Sequence, residues 1–112
     1  MSDQAVEPSG GERTLVPTEV STSGPVTNPQ RTAIEAMVDK VVRSIDDRVV
    51  HVRIRAEQHP EQSRERPVMV RVVLDIKGGP VRAHVDAASV HEAIDAVEAR
   101  LRAQLRARTE RR

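Results

Sequence analysis

Between Val68 and Val85 the sequence alternates apolar and polar residues in two runs that meet at Gly78-Gly79-Pro80. Val68, Val70, Val72, Leu74 and Ile76 share one parity, and Met69, Arg71, Val73, Asp75 and Lys77 the other. Beyond the glycines, Val81, Ala83 and Val85 alternate with Arg82, His84 and Asp86. A side-chain period of two belongs to a strand with one buried face, and a glycine-rich break between two such runs signals a hairpin turn. The pattern commits the chain to a sheet whose apolar side must be covered. With 112 residues there is material for one domain, and with no Phe, Tyr, Trp or Cys the cover has to be aliphatic. The missing cysteines exclude disulfides, thiolate metal sites and cysteine nucleophiles. The missing aromatics exclude RNA-binding modules that stack bases on sheet side chains.

Two amphipathic segments can supply the cover. Thr27-Asn28-Pro29-Gln30 has a polar cap, an early proline and a Gln three residues after the cap, the marks of a helix start. Ile34, Val38, Val41, Val42 and Ile45 follow as one stripe, with Met37 at its margin, and predict a helix to about Asp46. Lys40 and Arg43 fall on its other side. A second capping box, Ser89-Val90-His91-Glu92, precedes the stripe Val90, Ile94, Val97, Leu101 and Leu105. Its acidic residues Glu92, Asp95 and Glu98 lie in the first half and Arg100, Arg102, Arg106 and Arg108 in the second, each sign where the helix dipole favours it.

Two further strands complete the set. Val16, Thr18, Val20 and Thr22 alternate in a segment from Leu15 to Thr22, where Pro17 restricts the strand to a sheet edge. Val50, Val52, Ile54 and Ala56 are expected inward, with Val49, His51, Arg53 and Arg55 outward. Residues 57–67 read as a charged loop. The order β-α-β-β-β-α predicts an α+β fold, a two-layer sandwich with a four-stranded sheet and both helices on one face. A right-handed crossover through the first helix makes strands one and two parallel. Residues 1–13 are expected to be a disordered tail, 14–108 the α+β domain and 109–112 a basic end.

Charge is unevenly spread. Residues 1–30 carry a net −3, residues 31–112 a net +4, and the stretch from Arg100 to Arg112 alone +5. Two readings of the helix arginines stand side by side. Outward-facing Lys40, Arg43, Arg102 and Arg106 suit nucleic-acid phosphates, to which Arg offers a planar fork of donors. Alternatively they form a solvated face with internal pairs such as Asp39–Arg43 and Glu98–Arg102. On the outer sheet face a second basic patch of Arg53, Arg55, Arg71, Lys77 and Arg82 joins His51 and His84, where a wet face calls for polar residues anyway. His84 and Asp86 share that face but lack a nucleophile, a third ligand and a cleft. Ser89 is committed to capping, and His59 and His91 read as surface residues. No zinc motif, phosphate-cradling glycine loop or catalytic signature occurs, so no enzyme activity, metal, cofactor or small-molecule substrate is expected. No apolar run approaches the roughly 20 residues of a membrane span, and the N-terminus lacks the layout of a signal peptide. The expectation is a soluble, cytoplasmic protein.

The run from Gly79 to Asp95, the later Arg100-Leu101-Arg102-Ala103-Gln104-Leu105 and the Pro25-Val26-Thr27 entry to helix one resemble the ribosome hibernation-promoting factors. These are also called the ribosome-associated inhibitor or sigma-54 modulation family, and the resemblance covers about residues 15–108. It implies the same β-α-β-β-β-α fold and a ribosome-associated protein without catalysis. Such a protein binds the small subunit or 70S ribosome through 16S rRNA backbone, competes with mRNA and tRNA for their channel, and silences translation in stress or dormancy. The rRNA-binding positions it implies are Lys40, Arg43, Arg100, Arg102, Arg106 and Arg108. The chain departs from the family in having His91 where an aromatic is usual, and Arg102-Ala103 in place of an acidic-Arg pair. Long members add a C-terminal dimerisation domain, so the sequence is expected to be a short form or the N-terminal domain of a longer member. Two other readings compete: a protein-interaction module using Met69, Val73 or the charged loop, and a generic double-stranded-RNA binder.

Overall fold

A computed structural model describes residues 16–45, 48–59 and 65–110. The expected tail 1–13, together with Leu15, Asp46, loop residues 60–64 and residues 111–112, lies outside these. The elements run β1 (Thr18–Ser23), α1 (Asn28–Arg43), β2 (Val49–Gln58), β3 (Val68–Ile76), β4 (Gly79–Ala87) and α2 (Val90–Glu110). They form one four-stranded sheet in the order β1-β2-β3-β4. β1 pairs with β2 in parallel, and the two later pairings are antiparallel. The fold is the expected α+β sandwich. A parallel neighbour needs a long crossover, which α1 supplies, whereas β3 and β4 need only a tight turn.

Each helix starts as its sequence dictates. Thr27 accepts a hydrogen bond from the Gln30 backbone N–H at 3.2 Å, and the Gln30 side chain accepts one from the Thr27 N–H at 2.9 Å. At α2, Ser89 Oγ accepts from the Glu92 N–H at 3.1 Å, while the Glu92 carboxylate takes the N–H of Ala88 at 2.9 Å. α1 stops at Arg43, short of the expected Asp46, because the Ser44 hydroxyl and N–H both turn back onto the Val41 carbonyl. α2 continues through Glu110, so the helix itself carries the first residues of the basic end.

Strand register puts the apolar rows Val52–Leu74–Val81, Ile54–Val72–Ala83 and Ala56–Val70–Val85 on one face. Ile34, Met37, Val38 and Val41 of α1 and Val90, Ala93, Val97 and Leu101 of α2 join them in a single buried cluster. Leu74, Val70, Val72, Val41, Val97 and Leu101 are wholly excluded from water, and the described residues include no buried polar or charged one.

Six expectations change. Val50, expected inward, is 53% exposed, while Val49 packs toward the core. A register shift between Val49 and His51 causes this, since one extra residue in a strand flips the parity before it. Met37 is core rather than margin, and Ala93 joins the α2 stripe while Ile94 and Leu105 are half-buried. Ile76 pairs with Gly79, so the hairpin turn is Lys77-Gly78, and Gly79 and Pro80 open the next strand. Gly78 takes φ +103°, which side-chain-bearing residues seldom adopt. β2 runs to Gln58, two residues into the expected loop, and Pro17 precedes β1 and accepts the Val52 N–H at 2.9 Å.

Candidate nucleic-acid interface

The last turn of α1 and the middle of α2 meet in a seam. Glu98 of α2 lies 3.5 Å from Lys40 Nζ and accepts a hydrogen bond from Arg102 Nε at 3.0 Å. Arg102 also reaches 3.5 Å from the hydroxyl of Ser44, the residue that ends α1. The Arg102 hydrogen bond, and then the charge of Lys40, hold the Glu98 carboxyl below its ordinary value, outweighing the opposing effect of partial burial. Arg43 pairs with Asp39 at 2.5 Å within α1. The exposed Arg106 side chain has no hydrogen bond or ion pair among the described residues. Lys40 and Arg102 flank this seam; Arg43 lies on the β1 side of α1 and Arg106 one turn beyond Arg102, all four exposed or half-exposed. Lys40 is exposed and Glu98 half-buried, and ion pairs open to solvent are worth about 0.2–1 kcal/mol.

Arg100 and Arg108 are placed differently. Arg100 Nη1 donates to the His84 carbonyl, Gln104 exchanges hydrogen bonds with the backbone of Arg82, and Arg108 donates to the carbonyls of Gly79 and Lys77 at 2.8 and 3.0 Å. Spaced four apart, these side chains line one stripe of α2 and occupy backbone groups of the hairpin turn and of β4, an edge strand that would otherwise offer its groups to another chain. Arg100 and Arg108 therefore hold helix to sheet, and their guanidinium groups are partly committed. Gln104 was not singled out from the sequence, although the spacing Arg100, Gln104, Arg108 is visible there.

The outer sheet face gathers the second patch. Glu19–Arg53–Val73–Arg82 form one cross-strand row and Ser21–Arg55–Arg71–His84 the next. Arg53, Arg55, Arg71 and Arg82 line a shallow depression of about 430 Å³. Lys77 is not among them, being in the hairpin turn. Arg53 pairs with Asp75 at 3.1 Å, and Arg55 donates to Glu57 at 2.6 Å and to the Ser21 hydroxyl at 2.7 Å. The Arg55 bond, helped by His59, keeps the Glu57 carboxyl below its ordinary value against partial burial. His84 lies 3.8 Å from Asp86, and His51 lies 3.5 Å from both Glu19 and Asp75. Among the described residues no group of three or more His, Asp or Glu could hold a metal ion, and no helix is long and apolar enough to cross a membrane. A larger depression of about 610 Å³ lies between α1 and β1–β2, floored by valines and rimmed by the Arg31–Glu35 and Asp39–Arg43 pairs.

Residues 21–112 match the model of a family described as sigma 54 modulation protein / S30EA ribosomal protein. No curated protein sequence is similar enough to count as a match. Among solved structures, the chain is similar to the Protein Y N-terminal domain of Thermus thermophilus, with 18% identity, a TM-score of 0.62 and coverage of 80% of this chain and 96% of that one. It is also similar to a ribosomal subunit interface protein from Coxiella burnetii, with 12% identity, a TM-score of 0.64 and coverage of 83% and 97%. At these identities the likeness establishes the fold.

Proposed function

The chain belongs to the sigma 54 modulation protein / S30EA ribosomal protein family, and from that premise we propose that it is a cytoplasmic hibernation factor that binds the small ribosomal subunit through 16S rRNA backbone. In this reading it occupies the mRNA and tRNA channel and silences translation as a binding protein, without catalysis. The observation that supports the reading is the basic solvent side of both helices, with Lys40 and Arg102 at their seam and Arg43 and Arg106 exposed about one turn further along each helix. Arg forks and a Lys ammonium on adjoining helices suit a phosphate backbone, and no aromatic is needed for a contact that does not read bases. Arg100 and Arg108, tied to β4, act here by orienting α2 and present only their remaining donors. A protein-interaction reading has little to stand on at the open sheet face. Val73 is flanked in its row by Arg53 and Arg82, and the one large apolar residue exposed among the described residues is Val50.

Co-sedimentation with small subunits across a salt series tests the proposal. Reversing Lys40, Arg43, Arg102 and Arg106 to Glu is expected to weaken binding strongly and to flatten its salt dependence. Each lost phosphate contact removes about 0.7–0.9 from the slope of log affinity against log salt. The matched reversal of Arg53, Arg55 and Arg71 is expected to weaken binding only modestly, since screening at physiological salt limits free charges to about 8–10 Å. Equal losses from the two folded variants would show that bulk charge drives association. Binding that survives saturating mRNA and tRNA would place the protein outside their channel and favour a generic RNA binder.

A further inference from the structure

Arg55 of β2 and Arg71 of β3 stand directly opposite each other in register. Cross-strand partners have Cβ atoms about 4.5–5.5 Å apart, and like charges in that position destabilise a sheet. Solvation of the face calls for polar residues but not for two arginines in register, and Arg53 and Arg82 enlarge the excess in the adjoining row. Their states differ. Arg53 and Arg55 are held by Asp75, Glu57 and Ser21, whereas the side chains of Arg71 and Arg82 have no hydrogen bond or ion pair among the described residues. Two oriented guanidinium groups and two uncommitted ones face one depression.

We propose that this depression binds a linear oligophosphate, a short chain of directly linked phosphates, free or carried on a nucleoside. The footprint selects for a short ligand. Four arginines fall within two strand spacings, about 10 Å, and two rows, about 7 Å. Along the strand direction the band is closed by carboxylates, with Glu57 and Asp86 in the next row on one side and Asp75 in the next row on the other. Glu19 adds a carboxylate at the β1 end of the Arg53 row. An extended RNA strand running along the strands would meet those carboxylates. No aromatic is present on which its bases could stack, and such stacking supplies much of single-strand affinity. A chain of linked phosphates laid across β2, β3 and β4 meets the four arginines, His84 and Val73, and reaches a carboxylate, Glu19, only at the β1 end beside the Ser21 hydroxyl. Adjacent phosphates concentrate charge where guanidinium forks can share it.

The site needs no ribosome, so it is tested on the isolated protein and stands apart from the ribosomal reading. Calorimetric titration uses inorganic tripolyphosphate, guanosine triphosphate, orthophosphate and an oligouridylate, all at one ionic strength. Tripolyphosphate is expected to bind at least tenfold more tightly than orthophosphate, and Arg71→Gln with Arg82→Gln to weaken it at least tenfold. The charge-matched pair Arg31→Gln and Arg48→Gln, both outside the depression, is expected to leave it within twofold. Equal binding of guanosine triphosphate assigns recognition to the phosphates, and weaker binding assigns it to the inorganic chain. Both outcomes support the site. Absent tripolyphosphate binding, equal losses from the two double variants, or tighter binding of oligouridylate would each overturn it.

Discussion

On the covered face of the sheet, Val52, Val70, Val72 and Leu74 are excluded from water beneath Val41, Val97 and Leu101. On the open face the same strands present Arg53, Arg55, Arg71 and Arg82 around one depression. The covered face is stabilised by burial, at roughly 25 cal/mol per Å² of apolar surface. The open face includes a like-charge pair, which costs a sheet stability, and leaves Arg53, Arg71 and Arg82 exposed. The difference teaches where this fold spends its residues on holding together and where it is free to present charge. The helix seam lies between these extremes, since exposed Lys40 and half-exposed Arg102 share Glu98.

The sharpest way to break the comparison is at Leu101, which is wholly buried at the centre of α2. Leu101→Ala is expected to cost about 2–5 kcal/mol in denaturant unfolding, because no neighbouring aromatic can move in to fill the space. A variant as stable as the wild type would mean that α2 does not hold the covered face. A smaller effect is expected at the join between helix and sheet edge. Gln104→Ala removes the bonds to the Arg82 backbone and should cost about 0.5–1.5 kcal/mol. Hydrogen exchange at Arg82 should rise more than at Ala83, and equal rises would deny the edge contact.

Acid separates the seam from the core. The Glu98 carboxyl is held below the ordinary value of 4.5, so the unfolded chain binds its proton more readily than the folded one. Its contribution to stability is complete above that ordinary value and is lost as pH falls through the lower folded one. Glu98→Gln should therefore be less stable than wild type at pH of about 7, with the gap closing as pH falls below the ordinary value of 4.5. A gap that does not change with pH would show that Glu98 acts through packing alone. The smallest effect is expected on the open face. Arg71→Gln should change stability by no more than about 0.5 kcal/mol, with any change toward greater stability as repulsion from Arg55 is relieved. A loss above about 1 kcal/mol would make Arg71 part of the fold.

Much of this molecule was legible as local pattern. Capping boxes at Thr27 and Ser89, apolar stripes at helical spacing, and alternation around the Gly-rich turn are set by residues within a few positions of each other. That is the range over which backbone hydrogen bonding and side-chain direction operate. Where a second strand or helix intervenes, the pattern loses its authority. Val49 and Val50 exchange faces because a bulge against β3 adds a residue that no periodicity in β2 could announce. The arginines show this most clearly, because every one of them reads alike as a basic side chain in the sequence. Register opposes Arg55 to Arg71, the turn removes Lys77 from the open face, and the approach of α2 to the edge of β4 engages Arg100 and Arg108. Where each helix starts, the bodies of the strands and most of each apolar face could be read from the sequence, because those properties are short-range. Which positive charges have partners, and which have none among the described residues, is set by elements distant in sequence, because a charge takes its partner from whatever folds against it.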